Sequence, residues 1–191
     1  WQKRFAAIEQ PTEQGVAVVA DGGCIIVSGT ASGDGSVLRL GPGGEVLWHR
    51  TYGGSSGDTF RAVHRAKDGG WLVGGATDSY GASDAWLLQL TSSGSIQWQQ
   101  SFGGSKIDSV RSVRATEDGG CIVAADTGSV GSGAGDIWIL KFSASGAIQW
   151  QKTYGSAQTD EPTALQATRD GGFVMTGRFA GVISGGGDMW I

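Results

Sequence analysis

Residues 68–104 read DGGWLVGGATDSYGASDAWLLQLTSSGSIQWQQSFGG and contain the repeat on which the fold depends. Its opening tripeptide recurs four times along the chain, at Asp21, Asp68, Asp118 and Asp170. A tryptophan stands 20 positions before each of these aspartates, at Trp1, Trp48, Trp98 and Trp150. Self-similarity with a period of about 50 residues is typical of propellers, solenoids and repeat arrays. The fold is therefore predicted to consist of four copies of one unit.

The second unit predicts four short β-strands, which we call A to D in chain order. Its apolar runs cover 60–66, 71–76, 85–90 and 96–102. Asp-Gly-Gly joins strand A to strand B as a tight hairpin, in which glycine supplies the positive φ that a type I′ turn requires. A glycine also holds a fixed place in each turn between strands C and D, at Gly44, Gly94 and Gly146. Each unit is thus predicted to be a four-stranded antiparallel meander.

Such a meander cannot bury both of its faces by itself. Stacking copies around an axis covers the faces and leaves only short edges. We therefore predict an all-β fold, a β-propeller of four four-stranded antiparallel blades in a single domain. The blade units run over about 14–53, 59–104, 109–155, and 162–191 together with 1–8. A right-handed β-helix is disfavoured by the length of the repeat.

The two ends of the sequence carry different parts of a unit. Residues 1–20 align without gaps with 150–169 and begin with a strand D, whereas 188–191 begin a strand C. Geometry favours the interpretation that the N-terminal strand completes the last blade and closes a ring. Alternatively, the chain is a slice of a larger propeller, or its strand completes a blade of a neighbouring subunit and gives a polymer. The residues of this closure or assembly are Trp1, Phe5, Trp190 and Ile191.

Segments 68–104 and 118–155 resemble the Asp-Gly-Gly/Trp propeller repeats of secreted bacterial and archaeal proteins, which are often described as seven-bladed or WD40-like. The resemblance covers essentially the whole chain. It implies a non-catalytic module located outside the cell or on the cell surface. The motif itself is structural and contributes no catalytic residues. Four units are fewer than such propellers usually have.

Aspartate recurs at two loop positions, and these residues are the candidate ligand-binding set. One group precedes strand C and comprises Asp34, Asp84, Asp136 and Asp188, and the other precedes strand A and comprises Asp58, Asp108 and Asp160. Because the B–C and D–A loops lie at the same end of a meander, both groups should line one face, which we call the loop face. Their carboxylates suit a cation or a polar ligand. Uniform recurrence instead favours hydrogen bonds within each loop, so no metal site is predicted.

No pattern in the sequence points to catalysis. Residues 53–57 match G-x-S-x-G, but a nucleophile elbow needs a strand-to-helix turn, and this segment lies between two predicted strands. His49 and His64 are the only histidines, and with the two cysteines they lack the spacing of zinc ligands. We therefore expect no enzymatic activity and no cofactor.

Cysteine and tryptophan occupy repeated strand positions. Cys24 and Cys121 follow Asp-Gly-Gly where the other units have Trp71 and Phe173, so both are expected to be buried free thiols. The strand C and strand D tryptophans would stack on sugars if exposed, as in a lectin. Their fixed positions favour a core between blades instead.

Arginine is concentrated in the predicted strands A of the two middle units. The residues are Arg61, Arg65, Arg111 and Arg114. Strand A is the innermost strand of a propeller blade, so these side chains either line the axis or pair with the loop aspartates. The pairing is the interpretation that we favour.

The composition disfavours nucleic-acid binding and membrane insertion. The chain of 191 residues has a net charge of −4, which disfavours a nucleic-acid partner, and it has no apolar run long enough to insert into a membrane. We expect a non-catalytic extracellular module, structural or adhesive, that self-associates through its terminal strands. The alternative is a propeller that binds a glycan or another cell-surface ligand on the loop face.

Overall fold

A computed structural model describes residues 15–30, 32–168, 170–180 and 188–189. Within them lie fifteen β-strands and no helix, which confirms the all-β prediction. The strands are β1 Val16–Val18, β2 Cys24–Gly29, β3 Gly35–Leu40, β4 Val46–Tyr52, β5 Asp58–Arg65, β6 Trp71–Thr77, β7 Asp84–Leu90, β8 Ile96–Phe102, β9 Asp108–Ala115, β10 Cys121–Thr127, β11 Asp136–Phe142, β12 Ile148–Tyr154, β13 Glu161–Ala167, β14 Phe173–Phe179 and β15 Asp188–Met189. No described segment is a helix that could span a membrane.

The strands form four successive antiparallel sheets, which we call blades 1 to 4. Blades 1, 2 and 3 have the orders β1-β2-β3-β4, β5-β6-β7-β8 and β9-β10-β11-β12, and blade 4 has the order β13-β14-β15. Every strand pairs with its neighbour in sequence, as predicted for a meander. This is a repeated, propeller-like architecture. The predicted pairing of Trp1 and Phe5 with Trp190 and Ile191 lies outside the described residues.

The A–B turns differ from the predicted type. Gly69 has a positive φ of 86°. Asp68 has a negative φ, because Ser83 is the only described residue other than glycine whose φ is positive. A type I′ turn needs positive φ at both central residues, whereas a type I turn followed by a left-handed glycine needs it at one. The Gly69 amide donates to the Ala66 carbonyl at 3.1 Å, as that second geometry requires. The turn prediction was right about glycine and wrong about the turn type.

In blades 1, 2 and 3, a strand C side chain holds the aspartate of the A–B turn. Its carboxylate accepts the amide of the second glycine, at 2.8 Å for Asp68. It also accepts a bond from one buried strand C side chain, and the three pairs are Arg39–Asp21 at 2.5 Å, Gln89–Asp68 at 2.8 Å and Lys141–Asp118 at 2.8 Å. The bond from Lys141 is the main reason that the pKa of Asp118 falls to about 2. These contacts explain why the turns of blades 1, 2 and 3 carry aspartate.

The hydrophobic core consists of layers between consecutive blades. Trp86, which is 1% exposed, lies between blades 1 and 2 and stacks on Phe60 at 5.0 Å. Trp138 lies between blades 2 and 3, edge-on to Phe102 at 5.5 Å. These two strand C tryptophans therefore form the predicted core between blades. Leu165 closes a third layer, between blades 3 and 4.

Candidate functional site

The loop face brings the two aspartate groups together, as predicted. A Cβ atom at Gly103 would lie 2.5 Å from both Asp84 Oδ1 and Asp108 Oδ2, so only glycine fits between these carboxylates. Asp34 and Asp58 crowd Gly53 in the same way. The juxtaposition thus repeats from blade to blade. The side chain of Asp188 lies outside the described residues.

The aspartates that precede strand A accept hydrogen bonds from their own loop and from the end of strand B or the residues that follow it. Asp108 is fully buried and accepts hydrogen bonds from the Gly104 amide at 3.1 Å, from Ser129 Oγ at 2.7 Å and from Thr127 Oγ1. Asp58 has the equivalent three donors, and Asp160 accepts the amides of Ser156 and Ala180. The structure therefore favours an architectural role for this group over a ligand-binding one.

The aspartates that precede strand C are less completely satisfied. Asp136 accepts the Gly133 amide at 3.1 Å. Asp84 Oδ1 is buried and has no hydrogen-bond partner in the described part of the chain. Burial, followed by the neighbouring carboxylate of Asp108, raises the pKa of Asp84. An unfilled acceptor beside a like charge disfavours the ionised state of Asp84.

The paired carboxylates do not converge into a cation site. Among the described residues, no three His, Cys, Asp or Glu side chains form a group that could hold a metal ion. Each close pair offers only two acidic residues. In the pair of Asp84 and Asp108, the carboxylate of Asp108 already accepts three hydrogen bonds. A calcium site would need about six to eight oxygen ligands.

We therefore predict that chelation leaves the fold unaffected. Addition of EDTA should change the melting temperature, measured by circular dichroism, by no more than the scatter between replicates. Addition of Ca²⁺ should likewise have no effect, because protein donors hold the aspartates that precede strand A and no three acidic side chains converge among the described residues. A fall of many degrees in EDTA that Ca²⁺ reverses would make the loop face a calcium site.

A cavity of about 320 Å³ opens on the loop face between blades 1, 2 and 3. Its lining includes the hydroxyl residues Thr30 and Ser83, the carboxylate of Asp78 and the exposed side chain of Ile107. Ser83 adopts φ of 63°, and its Oγ donates to Asp78 Oδ1 at 2.5 Å. Positive φ is uncommon for a residue other than glycine and is found at binding loops.

Two arginines of strand A, Arg111 and Arg65, contact other groups than the loop aspartates that we predicted. Arg111 forms a two-pronged ion pair with Asp126 of β10, at 2.5 and 3.1 Å, rather than with a loop aspartate. Arg65 lies over the ring of Trp71, with its guanidinium carbon 5.4 Å from the ring centroid. Arg114 donates to Gln166 on the next blade. The contacts of Arg111 and Arg65 each lie within one blade, whereas the bond from Arg114 joins blade 3 to blade 4.

The two thiols are free but not equally buried. Cys121 is fully buried, and this desolvation raises its pKa to about 12, so its thiol is unreactive. Cys24 is only half-buried, which corrects the prediction for that residue. The difference in burial follows from the neighbouring blades. Cys121 faces the layer between blades 2 and 3, whereas Cys24 faces the side of blade 1 on which no described blade lies.

The segment 53–57 lies between strands β4 and β5 and leads into no helix. It therefore lacks the strand-to-helix geometry of a nucleophile elbow. The histidines make structural contacts: His49 Nε2 bonds to Ser36 Oγ at 2.8 Å, and His64 Nδ1 accepts the Ala115 amide at 3.2 Å. Burial and the charge of Arg114 lower the pKa of His64.

The layer between blades 3 and 4 is open at its outer side. In blade 2, Trp98 is half-buried, stacks 6.5 Å from Phe142 and donates to the Ala144 carbonyl in the C–D turn of blade 3. The matching Trp150 is 40% exposed, and Tyr154 is 42% exposed where Phe102 is 9%. A groove of about 300 Å³ results, lined by Ile139, Trp150, Lys152, Tyr154, Leu165, Phe173 and Met175.

Both ends of the row of blades expose apolar side chains that are buried elsewhere. Five positions before Asp-Gly-Gly, Val63, Val113 and Leu165 are at most 4% exposed, but Val16 is 57% exposed. On the opposite face, Val174 is 43% exposed where Leu72 is 1%. Strand β1 packs on β5, and β13 packs on β9, but no packing of comparable extent joins the described β1 and β13. The described blades form an open arc.

No family model and no curated protein matches the chain. Solved structures do match it in fold. A protein of unknown function from Bacteroides caccae has a TM-score of 0.56 and 13% identity over 84% of this chain and 51% of its own. A hypothetical protein from Leishmania major has a TM-score of 0.50 and 13% identity, over 85% and 61%. The chain thus spans about half to three fifths of these proteins' lengths, and the likeness concerns the fold alone.

Proposed function

We propose that this protein is a non-catalytic β-propeller module, located outside the cell, that acts as a structural or adhesive surface by self-association. The observation that supports the proposal is the exposure of inter-blade apolar surface at both ends of the arc. Val16 and Val174 are the clearest examples. The extracellular location rests on the resemblance to secreted Asp-Gly-Gly/Trp repeats.

The energetic argument is that such surfaces favour association. Burying one valine or larger apolar side chain contributes about 1.5–3 kcal/mol. The equivalent side chains inside the arc, such as Val63 and Leu72, already receive this stabilisation from the adjoining blade. Contiguous exposed apolar surface usually marks an interaction site. Association of further blades with the two ends would bury it.

The rest of the molecule supports a structural role rather than a chemical one. The buried aspartates of the loop face accept bonds from their own loops, and the strand C tryptophans fill the core between blades. The exposed outer strands carry long polar side chains such as Gln99 and Gln100, which limit unspecific pairing of strand edges.

Sedimentation velocity over a range of concentrations tests this proposal. The wild-type protein should sediment as species larger than a monomer, and Val16→Asp with Val174→Asp should shift it towards monomer, because charges would then occupy the end faces. Asp78→Ala on the loop face is the matched control and should leave association unchanged. A wild-type protein that stays monomeric at all concentrations would overturn the proposal.

A ligand-binding propeller is the second candidate, and the loop-face cavity favours it. Its hydroxyl groups, the carboxylates of Asp58 and Asp78 and the apolar side chain of Ile107 are of the types with which proteins hold a sugar. Binding of glycans to the monomer, lost in Asp78→Ala and retained in Val16→Asp, would support this alternative.

A further inference from the structure

The loop-face cavity carries negative charge that no described ion pair balances. Among its described lining residues, Asp58 and Asp78 are the only charged ones. None of the ion pairs in the described part of the chain involves either carboxylate. By contrast, Asp118 at the opposite end of its blade is paired with Lys141 at 2.8 Å. The cavity therefore favours a ligand that brings a positive charge of its own.

Asp78 is the carboxylate that can bond directly to such a ligand. Asp58 is 5% exposed, and both of its oxygens accept hydrogen bonds from the protein. Asp78 is exposed, and its described side-chain hydrogen bond, from Ser83 Oγ at 2.5 Å, uses Oδ1. Its Oδ2 lies against the cavity wall at Gly57, 3.3 Å from where a Cβ atom would stand. This oxygen is the anionic acceptor that the cavity offers to a ligand.

Backbone hydrogen bonds between the loops hold the walls of the cavity in place. The amide of Asp78 donates to the Gly57 carbonyl at 2.7 Å, and the amide of Asp108 donates to the Ser83 carbonyl at 2.8 Å. These bonds tie the loops before β5 and β7 to the strands that follow or precede them. A site that is shaped before binding loses less conformational entropy when a ligand enters.

The remaining lining residues indicate the rest of the ligand. Thr59 Oγ1 lies 3.2 Å from where a Cβ atom would stand at Gly29, which also lines the cavity. Thr30 adds a second hydroxyl residue, and the exposed side chain of Ile107 adds an apolar surface. Hydroxyls both donate to and accept from hydroxyl groups of a ligand. The volume of about 320 Å³ is at the lower end for ligand pockets, about 300–1,000 Å³, and suits one small ring.

We propose that this cavity binds the protonated amino group of a small hydroxylated amine, the class to which amino sugars belong. The proposal rests on the second candidate function, ligand binding on the loop face, and specifies the ligand. An ammonium group can be held by one carboxylate and a few neighbouring oxygens, whereas Ca²⁺ needs about six to eight. The carboxylate of Asp108 also contributes to the raised pKa of Asp84, after burial, as expected where the local potential is negative.

Isothermal titration calorimetry on the full chain, in slightly acidic buffer, tests the proposal with glucosamine and glucose as probes. The two sugars share a ring and differ in one group, an ammonium in place of a hydroxyl. Glucosamine should bind at least about tenfold more tightly, the scale of one charge-assisted hydrogen bond, and added salt should reduce the difference. Asp78→Asn should remove the preference, because the amide keeps an acceptor for Ser83 but loses the charge.

Glu117→Gln is the matched control. Its side chain is 93% exposed on an A–B turn, away from the loop face, so the variant loses the same charge and should keep the preference. Equal binding of the two sugars would overturn the inference but leave the ligand-binding candidate intact, whereas failure of both to bind would overturn both. A preference that survives Asp78→Asn, or that is lost equally in Glu117→Gln, would also overturn the inference, because the cavity would then not be the site.

Discussion

Replacement of Trp86 by alanine is expected to lower the free energy of unfolding by about 3–5 kcal/mol. The indole is 1% exposed and lies in the layer that joins blades 1 and 2. One ring neighbour, Phe60, stacks at 5.0 Å, and another, Tyr80, lies at 5.5 Å. The substitution removes these contacts and leaves a cavity that the strands on either side cannot close without shifting.

Urea titration of dilute protein, followed by circular dichroism, measures this loss. Trp150→Ala is the matched control, because it removes the same side chain from a repeat position where the indole is 40% exposed. The control should lose about 1 kcal/mol or less. Equal losses in both variants would contradict the assignment of Trp86 to the core between blades.

The sequence predicted the strands well because the repeat fixes their register. Strand D of the second unit was predicted at 96–102, and β8 is Ile96–Phe102. Strand A of that unit starts two residues earlier than predicted, at Asp58. That extension depends on hydrogen bonds from Thr77 and Ser79, which lie in another part of the blade. Local apolar patterning does not contain that information.

The partners of the turn and loop aspartates could not be predicted, because the residues that contact them are not of one type. Arg39, Gln89 and Lys141 differ in charge, yet each donates to the aspartate of an A–B turn. What they share is a long side chain that ends in a hydrogen-bond donor, at the same position of strand C. This similarity is seen only when the units are aligned and compared by donor capacity rather than by residue type. Thr77 and Thr127 were missed too, although each stands nine positions after the aspartate of Asp-Gly-Gly.

Whether the four blades close into a ring could not be predicted from the sequence repeat. In a propeller each blade is rotated relative to its neighbour, and four blades close into a ring only if the rotations add up to a full turn. Side chains deep in the layers, such as Trp138 against Phe102, set those angles. The sequence identified these residues as core without giving the rotation that their packing produces.

Asp108→Ala is expected to destabilise the protein by about 3 kcal/mol. The carboxylate is fully buried, and its removal leaves the Gly104 amide and the hydroxyls of Ser129 and Thr127 without their acceptor. These three donors belong to the loop before β9 and to the end of β10, so their loss loosens the connection between blades 2 and 3. Water can replace only some of these bonds in so enclosed a place.

The matched control is Asp78→Ala, which removes an exposed carboxylate on the same face. It should cost no more than about 0.5 kcal/mol, the usual scale for a surface substitution. Both variants are compared by urea titration at neutral pH. If Asp108→Ala were as stable as wild type, the recurring aspartates would not hold the loops. Their recurrence would then favour a ligand on the loop face, and glycan binding by the two variants would be the next measurement.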